Sequence, residues 1–439
     1  MAPDSESSET ELVWRFVAPE AVVPPASRVD AHVQKGVSAL QSWVRKMPAA
    51  FSRWWTGVEE GADEAEAADV ESGENEPQPA PDALLERIAP APDWSEAVAA
   101  LDAALEPWME RPDGEPALVL DAWYHGAPSI ARCWAEARGW TIVDPPPRDD
   151  LASPDAAAAD WLAAREQSDT PWVLPRLEQC HLRTPRGLAF VRQLLDRWAE
   201  GALGRGLIGC DPNAWAYLRH VWPGEIPHRL MLHPFSADVL ARWFRTLAEA
   251  DQPDGAAPIS FRIAGEDDPV LPAPREAADE DGSVPPFDDL PTSSYLRRLA
   301  VYSQGHPGIA WTLWRRSLLV LPDAPPSEAD ETSDSTSDPE QTIWVRPWSD
   351  VERPRRPSDF AQPDAFVLHA LLLHGGLSAD QLSPLLPTDQ YAVRHRLHGL
   401  RTAGFIVQDD ATWQLTPAGY PAACDILRHE AYLPDPYDT

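Results

Sequence analysis

Five short apolar runs, each followed by a segment with helical spacing, are the feature that most limits how this chain can fold. The runs are 117–123, 141–146, 171–177, 205–211 and 229–235. Such alternation is typical of buried parallel strands joined by crossover helices. It predicts an α/β fold with an open, five-stranded parallel sheet, and the first crossover helix is expected to end at Gly139.

The turn after the first run, Tyr124–Ile130, lies between a predicted strand and a predicted helix, where phosphate-binding loops are found. The pattern GxxxxGK[ST] supplies glycines for close approach to the phosphates, a lysine, and a hydroxyl for Mg²⁺. Here Ser129 supplies the hydroxyl, whereas Pro128 replaces the lysine and Ala127 the second glycine. We interpret Gly126, Ala127, Pro128 and Ser129 as a vestigial phosphate loop that does not bind Mg-nucleotide tightly.

The end of the third run lacks the acids that hold a metal and orient water in phosphoryl transfer. Pro175 and Arg176 stand at those positions, and Glu178 is the one carboxylate that remains nearby. A single glutamate at a strand end is more often a capping or solvated group than a catalytic one. No catalytic residue is therefore expected.

Histidines are the other side chains weighed for chemistry. His125 lies beside Gly126 without a nucleophilic serine or cysteine at a recognisable turn, so we interpret it as a loop histidine. His369 and His374 are five residues apart and do not share one helix face. No metal site is expected from them.

Two further units follow the core. Residues 293–319 predict a compact helical unit that contains the segment Gly305, His306 and Pro307. After residue 359 the pattern predicts three helices, at 366–374, 378–386 and 389–403, and two short strands, at 405–407 and 412–415. Three helices followed by a two-stranded wing are typical of a winged helix-turn-helix.

In layout, residues 82–435 resemble the STAND branch of the AAA+-type P-loop ATPases. The resemblance rests on the five core strands, the Gly305–Pro307 segment and the C-terminal winged helix. It implies a P-loop-type sheet with a helical lid domain, and a base pocket at Gly305, His306 and Pro307, which match the G-x-P motif of the family. ATP or ADP is the cofactor implied, but the altered loop and strand end predict a pseudo-ATPase that needs no cofactor.

Changes in composition divide the chain into eight segments. They are an acidic tail (1–27), a basic amphipathic helix (28–58), a disordered acidic linker (59–81), the P-loop-like α/β domain (82–250), a partly disordered insertion (251–292), the helical lid (293–322), an acidic linker (323–358) and the winged helix domain (359–439). The linkers are assigned because acidic, small residues cannot bury enough apolar surface to fold.

The segment 28–58 is the basic part of an acidic protein. The whole chain carries 36 Lys+Arg against 70 Asp+Glu, a net charge of −34 that is typical of a salt-adapted protein. Both lysines of the chain lie in this segment, and the predicted contact residues are Lys35, Arg45, Lys46, Arg53, Trp54 and Trp55. Such a helix can dock on an anionic membrane surface or a membrane protein, and the alternative is that it packs on its own domain.

Cysteine usage and hydropathy predict where the protein works. The four cysteines are far apart and form no CxxC pair, which favours a reduced, cytoplasmic setting. No apolar run approaches the length of a membrane span, and the N-terminal residues lack the basic start of a signal peptide. We expect a cytoplasmic protein, with attachment to the inner face of the membrane as an option through 28–58.

Three functions remain open on the sequence alone. The first is a non-catalytic or weakly nucleotide-binding STAND-like homologue that acts as a regulatory or scaffold protein, with a membrane-protein partner as one option. The second is a DNA-binding transcription regulator, and the third is an active signalling ATPase. Charge disfavours DNA, since residues 364–439 carry four arginines against nine acids and the wing turn is Asp409-Asp410.

Overall fold

The computed structural model describes residues 14–22, 77–111, 115–122, 129–152, 157–168, 170–250, 252, 259–266, 268–271, 292–321 and 341–433. Within these ranges the strands, numbered in chain order, are β1 (Phe16–Val17), β2 (Gln78–Pro79), β3 (Ala117–Leu120), β4 (Thr141–Ile142), β5 (Trp172–Leu174), β6 (Gly206–Cys210), β7 (His228–Leu232), β8 (Ile259–Ile263), β9 (Pro269–Leu271), β10 (Leu318–Val320), β11 (Gln341–Val345), β12 (Leu377–Ser378), β13 (Ile406–Asp409) and β14 (Thr412–Leu415).

The helices of the same ranges are α1 (Asp82–Ile88), α2 (Ser95–Met109), α3 (Ile130–Arg138), α4 (Arg148–Ala152), α5 (Ala157–Glu166), α6 (Ala189–Ala199), α7 (Pro212–Val221), α8 (Ala237–Glu249), α9 (Ser294–Tyr302), α10 (Pro307–Ser317), α11 (Gln362–His374), α12 (Ala379–Leu382), α13 (Gln390–Thr402) and α14 (Gly419–His429). Short 3₁₀ turns lie at Pro19–Ala21, Leu177–Gln179, Trp348–Asp350 and Ser383–Leu385. Among the residues described, no helix is long and apolar enough to cross a membrane.

The first sheet has the strand order β1-β7-β3-β6-β5-β4. Its four inner pairings join the five predicted strands in parallel, with Ala117 opposite Leu207 on β6 and His228 on β7. The fold is therefore α/β, but the sheet is mixed and six-stranded, because β1 pairs antiparallel with β7. The prediction of a purely parallel, five-stranded sheet was wrong at this edge.

The central strands are buried on both faces, which explains their continuous apolar sequence. Leu118, Val119 and Ile208 are fully buried, and α3 packs against β5 and β6. Gly139 ends α3 with a left-handed backbone, φ 67°, as the sequence predicted.

The predicted acidic tail, 1–27, contributes to this core. Trp14 is 2% exposed and packs edge-on against Trp94, Phe235 and Trp243, with ring centroids 5.5, 4.9 and 5.7 Å away. Burying a tryptophan removes a large apolar surface from water. Residues 14–22 therefore belong to the α/β domain, and the basic helix predicted at 28–58 lies outside the described residues.

A second sheet, of order β2-β10-β11-β8-β9, is assembled from segments far apart in the chain. Its one parallel pairing joins β11 to β8, and the other pairings are antiparallel. Strand β2 lies within the predicted linker 59–81, β8 and β9 lie within the insertion 251–292, and β11 lies within the linker 323–358. These parts of the three segments are structured, and the predicted lid, 293–322, contains α9, α10 and strand β10.

The C-terminal domain, residues 362–433, contains α11 to α14 and an antiparallel sheet of order β12-β14-β13. The helix predicted at 378–386 is divided into α12 and a 3₁₀ turn, because Pro384 lacks the N–H that an α-helix needs. Helix α14 and strand β12 were not predicted. The domain packs with α11 against α7 and the Leu177–Gln179 turn, at the carboxyl edge of the first sheet.

Candidate functional site

The carboxyl ends of β3 and β6 lie side by side where the connections of the first sheet change direction. After β3 the chain crosses over β6 and β5 to enter β4. After β6 it crosses over β3 in the opposite direction to enter β7. In open α/β sheets, ligands bind in the crevice at such a switch point. The ends of these two strands are therefore the candidate site.

A side chain of the protein itself occupies the N-terminus of α3 at this point. Asp121 follows β3, and its Oδ2 accepts a hydrogen bond of 3.0 Å from the Ile130 backbone N–H. Helix N-termini attract anions, since their N–H groups lack helical partners and the helix dipole favours negative charge. Ser129 precedes the helix without capping it by its side chain. The other vestigial-loop residues, 126–128, lie outside the described residues.

Asp211 holds the corresponding position after β6. Its Oδ1 accepts hydrogen bonds from the backbone N–H groups of Asn213, at 2.8 Å, and Ala214, at 3.2 Å, and so caps α7. The Tyr420 hydroxyl of α14 donates to Asp211 Oδ2 at 2.8 Å. The Asn213 side-chain amide donates to the Tyr420 oxygen at 2.9 Å. The C-terminal domain thus closes over the end of β6.

Burial controls the protonation of both aspartates. It raises the pKa of Asp121 to about 7, against the lowering effect of the Ile130 N–H, and the carboxylates of Glu178 and Asp211 add to the rise. Burial also raises the pKa of Asp211 to about 6, with the Tyr420 hydroxyl opposing it. The candidate site is therefore a place where negative charge is costly, and a bound phosphate would add to that cost.

Glu178, the one acid predicted after the third strand, lies in a buried ion pair. Its Oε1 is 2.9 Å from Arg176 Nε, and its side chain is 1% exposed. Its Oε2 accepts a hydrogen bond of 3.3 Å from the Asp211 backbone N–H. Glu178 is thus a partner of Arg176 in a buried polar network.

Two arginines of the α/β domain bind the C-terminal end of α11. Arg176 Nη2 donates to the Gly375 carbonyl at 3.1 Å, and Arg148 donates to the carbonyls of His374 and Gly376. The last carbonyls of a helix have no intrahelical partner and carry partial negative charge. Burial, together with the nearby Arg176, lowers the pKa of Arg148 to about 10. Arg176 therefore holds the C-terminal domain in place, at the position where the motif of active ATPases would have a metal-binding acid.

The predicted base-pocket residues come together beside the ends of β3 and β7. Gly305 has a left-handed backbone, φ 72°, and its carbonyl accepts a hydrogen bond of 2.8 Å from Phe235 N–H. His306 Nε2 lies 3.1 Å from the Ala122 carbonyl, and burial lowers its pKa to about 4. Pro307 is the first residue of α10.

The cavity between these elements is small. Its volume is about 60 Å³, and its lining includes Asp121, His306 and Pro307. Pockets for small molecules and cofactors are several hundred Å³ in volume. The part of the crevice that the structure describes therefore has room for a water molecule or two and not for a nucleotide.

No family model, curated protein or solved structure matches this chain. What the site can do is therefore argued from its own geometry.

The histidines of α11 lie at the interface with the α/β domain. His369 Nδ1 lies 2.7 Å from Arg183 Nη1, and His374 faces His181 of the α/β domain, with ring centroids 4.5 Å apart. Within the described ranges no three metal-ligating side chains are grouped as a metal site. His125 and the predicted contact residues Lys35, Arg45, Lys46, Arg53, Trp54 and Trp55 lie outside those ranges.

Helix α13, at the position of a recognition helix, offers a mixed surface. Tyr391 is 85% exposed and the Arg394 side chain 61% exposed, whereas Arg396 turns inward to pair with Asp364 at 2.9 Å. Arg396 therefore holds α13 to α11. The turn between β13 and β14 contains Asp409 and Asp410, and Asp410 has a left-handed backbone, φ 49°.

Sequence reasoning missed the residues that close the site: Asp121, Arg148, Asp211 and Tyr420. Two of them carried a usable signal. Asp211 is the last residue of the predicted run 205–211 and precedes Pro212, and an aspartate before a proline is a common start of a helix. Asp121 also follows a strand, but its partner Ile130 is nine residues away, so only the folded chain brings them together.

Proposed function

We propose that this protein is a non-catalytic relative of P-loop ATPases that acts as a regulatory or scaffold protein through its docked C-terminal domain. The observation that carries the proposal is the closure of the switch-point crevice by the chain's own groups. Asp121 occupies the helix N-terminus, Tyr420 of the C-terminal domain donates to Asp211 after β6, and Arg176 after β5 donates to the Gly375 carbonyl of that domain.

The strand order supports the ATPase ancestry. When the five parallel strands are numbered by their order in the chain, they lie side by side in the sheet in the order 5-1-4-3-2, which is the order that the resemblance implies. The helical lid and the helix-rich C-terminal domain follow in the expected sequence, and the latter is proposed to be a winged helix.

The partner proposed is a protein. A protein interface favours exposed aromatic and arginine side chains, and α13 presents Tyr391 and Arg394 in this way. A DNA-binding regulator is the less favoured alternative, because Arg396 is engaged by Asp364 and the wing turn is acidic. Attachment to a membrane protein through 28–58 stays a proposal from the sequence.

We expect the purified full-length protein to release no phosphate from Mg-ATP above the protein-free control. The reason is that the carboxylates of the described site are already bound by backbone N–H groups, Tyr420 and Arg176, and that the described cavity of about 60 Å³ has no space for the nucleotide. A coupled phosphate assay over hours at saturating ATP provides the measurement.

The matched control is Ser129→Ala, which removes the one retained hydroxyl of the vestigial loop and breaks no side-chain cap. Contaminating ATPases would act equally in both preparations. Mg²⁺-dependent phosphate release that disappears in Ser129→Ala would overturn the proposal and favour an active ATPase.

A further inference from the structure

Two histidines meet across the interface between the α/β domain and the C-terminal domain. His181 follows the Leu177–Gln179 turn, and His374 is the last residue of α11. Both are fully buried, and their rings are tilted by 51° with centroids 4.5 Å apart. The contact therefore forms only when the C-terminal domain is docked.

The pair is unusual in its hydrogen bonding. None of the four ring nitrogens of His181 and His374 has a hydrogen-bond partner of good geometry among the described residues, and the Leu177 backbone near His181 only partly opposes the fall in its pKa. Buried polar atoms are nearly always hydrogen-bonded, because leaving water without a replacement bond is costly. Two neighbouring buried rings without hydrogen-bond partners are stable only when both are neutral and well packed.

The groups around the pair would further destabilise a positive charge on either ring. Arg148 of α4 binds the His374 carbonyl, Arg183 lies on the loop after His181, and His369 lies on α11. On the α7 side, the Tyr217 ring stacks on His181 with centroids 5.9 Å apart. Glu178, three residues before His181, is already paired with Arg176, and no third metal ligand joins the pair in the described part of the chain.

We propose that the His181–His374 pair is an acid-sensitive switch, in which protonation of the two rings releases the C-terminal domain from the carboxyl edge of the sheet. Two imidazolium rings in contact, beside Arg148 and Arg183, have no counter-charge in the docked state. Separation of the domains gives both rings access to water. Release would uncover the docking face of α11 and the facing surface of α7, while Asp121 keeps its bond to Ile130 within the α/β domain.

The direction of the pH dependence follows from the docked state. Burial lowers the pKa of His181 to about 3 and lowers the pKa of His374 well below its ordinary value of 6.5, and the nearby cations act in the same direction. Docking is therefore fully stable above the ordinary value and is lost as the pH falls below it. At pH 5 each ring favours the open state by about 30-fold, so the pair contributes about 1,000-fold.

Asp211 opposes this effect. Its pKa is raised to about 6 in the docked state, so below that value its neutral form favours docking. An aspartate exposed on opening returns to its usual range, which offsets the histidines by about 10-fold at pH 5. His369 of α11, whose pKa burial lowers to about 4 in the docked state, adds to the effect of the pair, so the net expectation is a rise of at least about 100-fold in the open population between pH 7.5 and 5.0.

The cysteines provide the readout in the unmodified chain. Cys424 of α14 is fully buried, with its sulfur 3.8 Å from Asn213 Nδ2 across the interface, so undocking exposes it. Cys133 is partly exposed and serves as an internal reference for thiol chemistry, and Cys210 in β6 reports unfolding of the sheet. Labelling with 4,4′-dithiodipyridine, which reacts in acid, is followed site by site by mass spectrometry. We expect the Cys424 rate relative to Cys133 to rise at least about 100-fold from pH 7.5 to 5.0, with Cys210 protected.

The double variant His181→Leu, His374→Leu removes both rings of the pair, and its ratio is expected to rise no more than about 3-fold, since His369 and Asp211 still titrate and nearly offset each other. Should it fail to fold, the single variant His374→Leu is expected to lower the rise about 30-fold. His395→Leu, on the exposed face of α13, is the matched control and should behave as the wild type. A flat ratio in the wild type, a parallel rise at Cys210, or an unchanged rise in the leucine variants would each overturn the switch.

Discussion

Replacing Arg176 with alanine is expected to lower the free energy of unfolding by about 3–5 kcal/mol, because it leaves a buried carboxylate without its partner. The Glu178 side chain is 1% exposed and lies 2.9 Å from Arg176. The same change removes the bond from Arg176 to the Gly375 carbonyl at the end of α11. Urea unfolding of the full-length protein, followed by tryptophan fluorescence, provides the measurement.

An exposed ion pair serves as the matched control. Arg132 and Glu136 lie 3.2 Å apart on α3, with side chains 52% and 58% exposed, so Arg132→Ala should cost no more than about 1 kcal/mol. Adding Glu178→Gln to Arg176→Ala should recover part of the loss, since the unpaired charge is removed. Equal effects of the two arginine changes would contradict the assignment of a buried, stabilising pair.

Replacing Gly305 with alanine is expected to destabilise the protein by about 2–5 kcal/mol. Its backbone is left-handed, φ 72°, and an added Cβ would lie 2.5 Å from Pro234 Cβ and 2.8 Å from the Phe235 backbone nitrogen. Both neighbours are held by the backbone and cannot move as a flexible side chain can. The change in unfolding free energy, measured by the same urea titration, tests the close approach of the lid to β7.

Gly139 provides the control with the same backbone strain and no crowding. Its φ is 67°, and no atom lies within 4 Å of an added Cβ. Gly139→Ala should cost only the left-handed strain, about 1–2 kcal/mol. A loss at Gly305 that does not exceed the loss at Gly139 would show that the lid does not approach β7 as closely as described.

Local patterns predicted the parts of the fold that depend on near neighbours. The continuous apolar run at 205–211 corresponds to β6 (Gly206–Cys210), and the αL glycine at 139 ends α3 where predicted. These features follow from burial and backbone geometry within a few residues. The five parallel strands could be predicted for that reason.

Pairings between distant segments could not be predicted. Strand β1 has two residues and is defined only by its contact with β7, and β11 is identified as a strand by β8 across the chain. Strands this short carry too little periodicity to be recognised alone. The tail and linker predictions failed there because acidic composition was given more weight than a few buried aromatic and apolar residues.

The candidate site was predicted in position but not in content. The sequence analysis located the site after the first strand and recognised that the motif lysine is absent. It did not predict that Asp121 and Tyr420 close the site, because their partners are distant in the chain. Arg176 was noted as a replacement for an acid, and its role became clear only from its bond to Gly375. A substitution in a catalytic motif indicates from the sequence alone that the catalytic role is lost. The new contact that the substituted residue makes can be identified only from the folded structure.

The measurement that tests the closed crevice most directly is nucleotide binding. Ligand released from the denatured protein is identified by mass spectrometry, and titration calorimetry with ATP and ADP in Mg²⁺ is performed on the native protein. We predict no co-purified nucleotide and no binding tighter than about 1 mM, because Asp121 holds the helix N-terminus and the described cavity is about 60 Å³. Stoichiometric ADP or ATP with a Kd of about 1 μM or below would contradict the account.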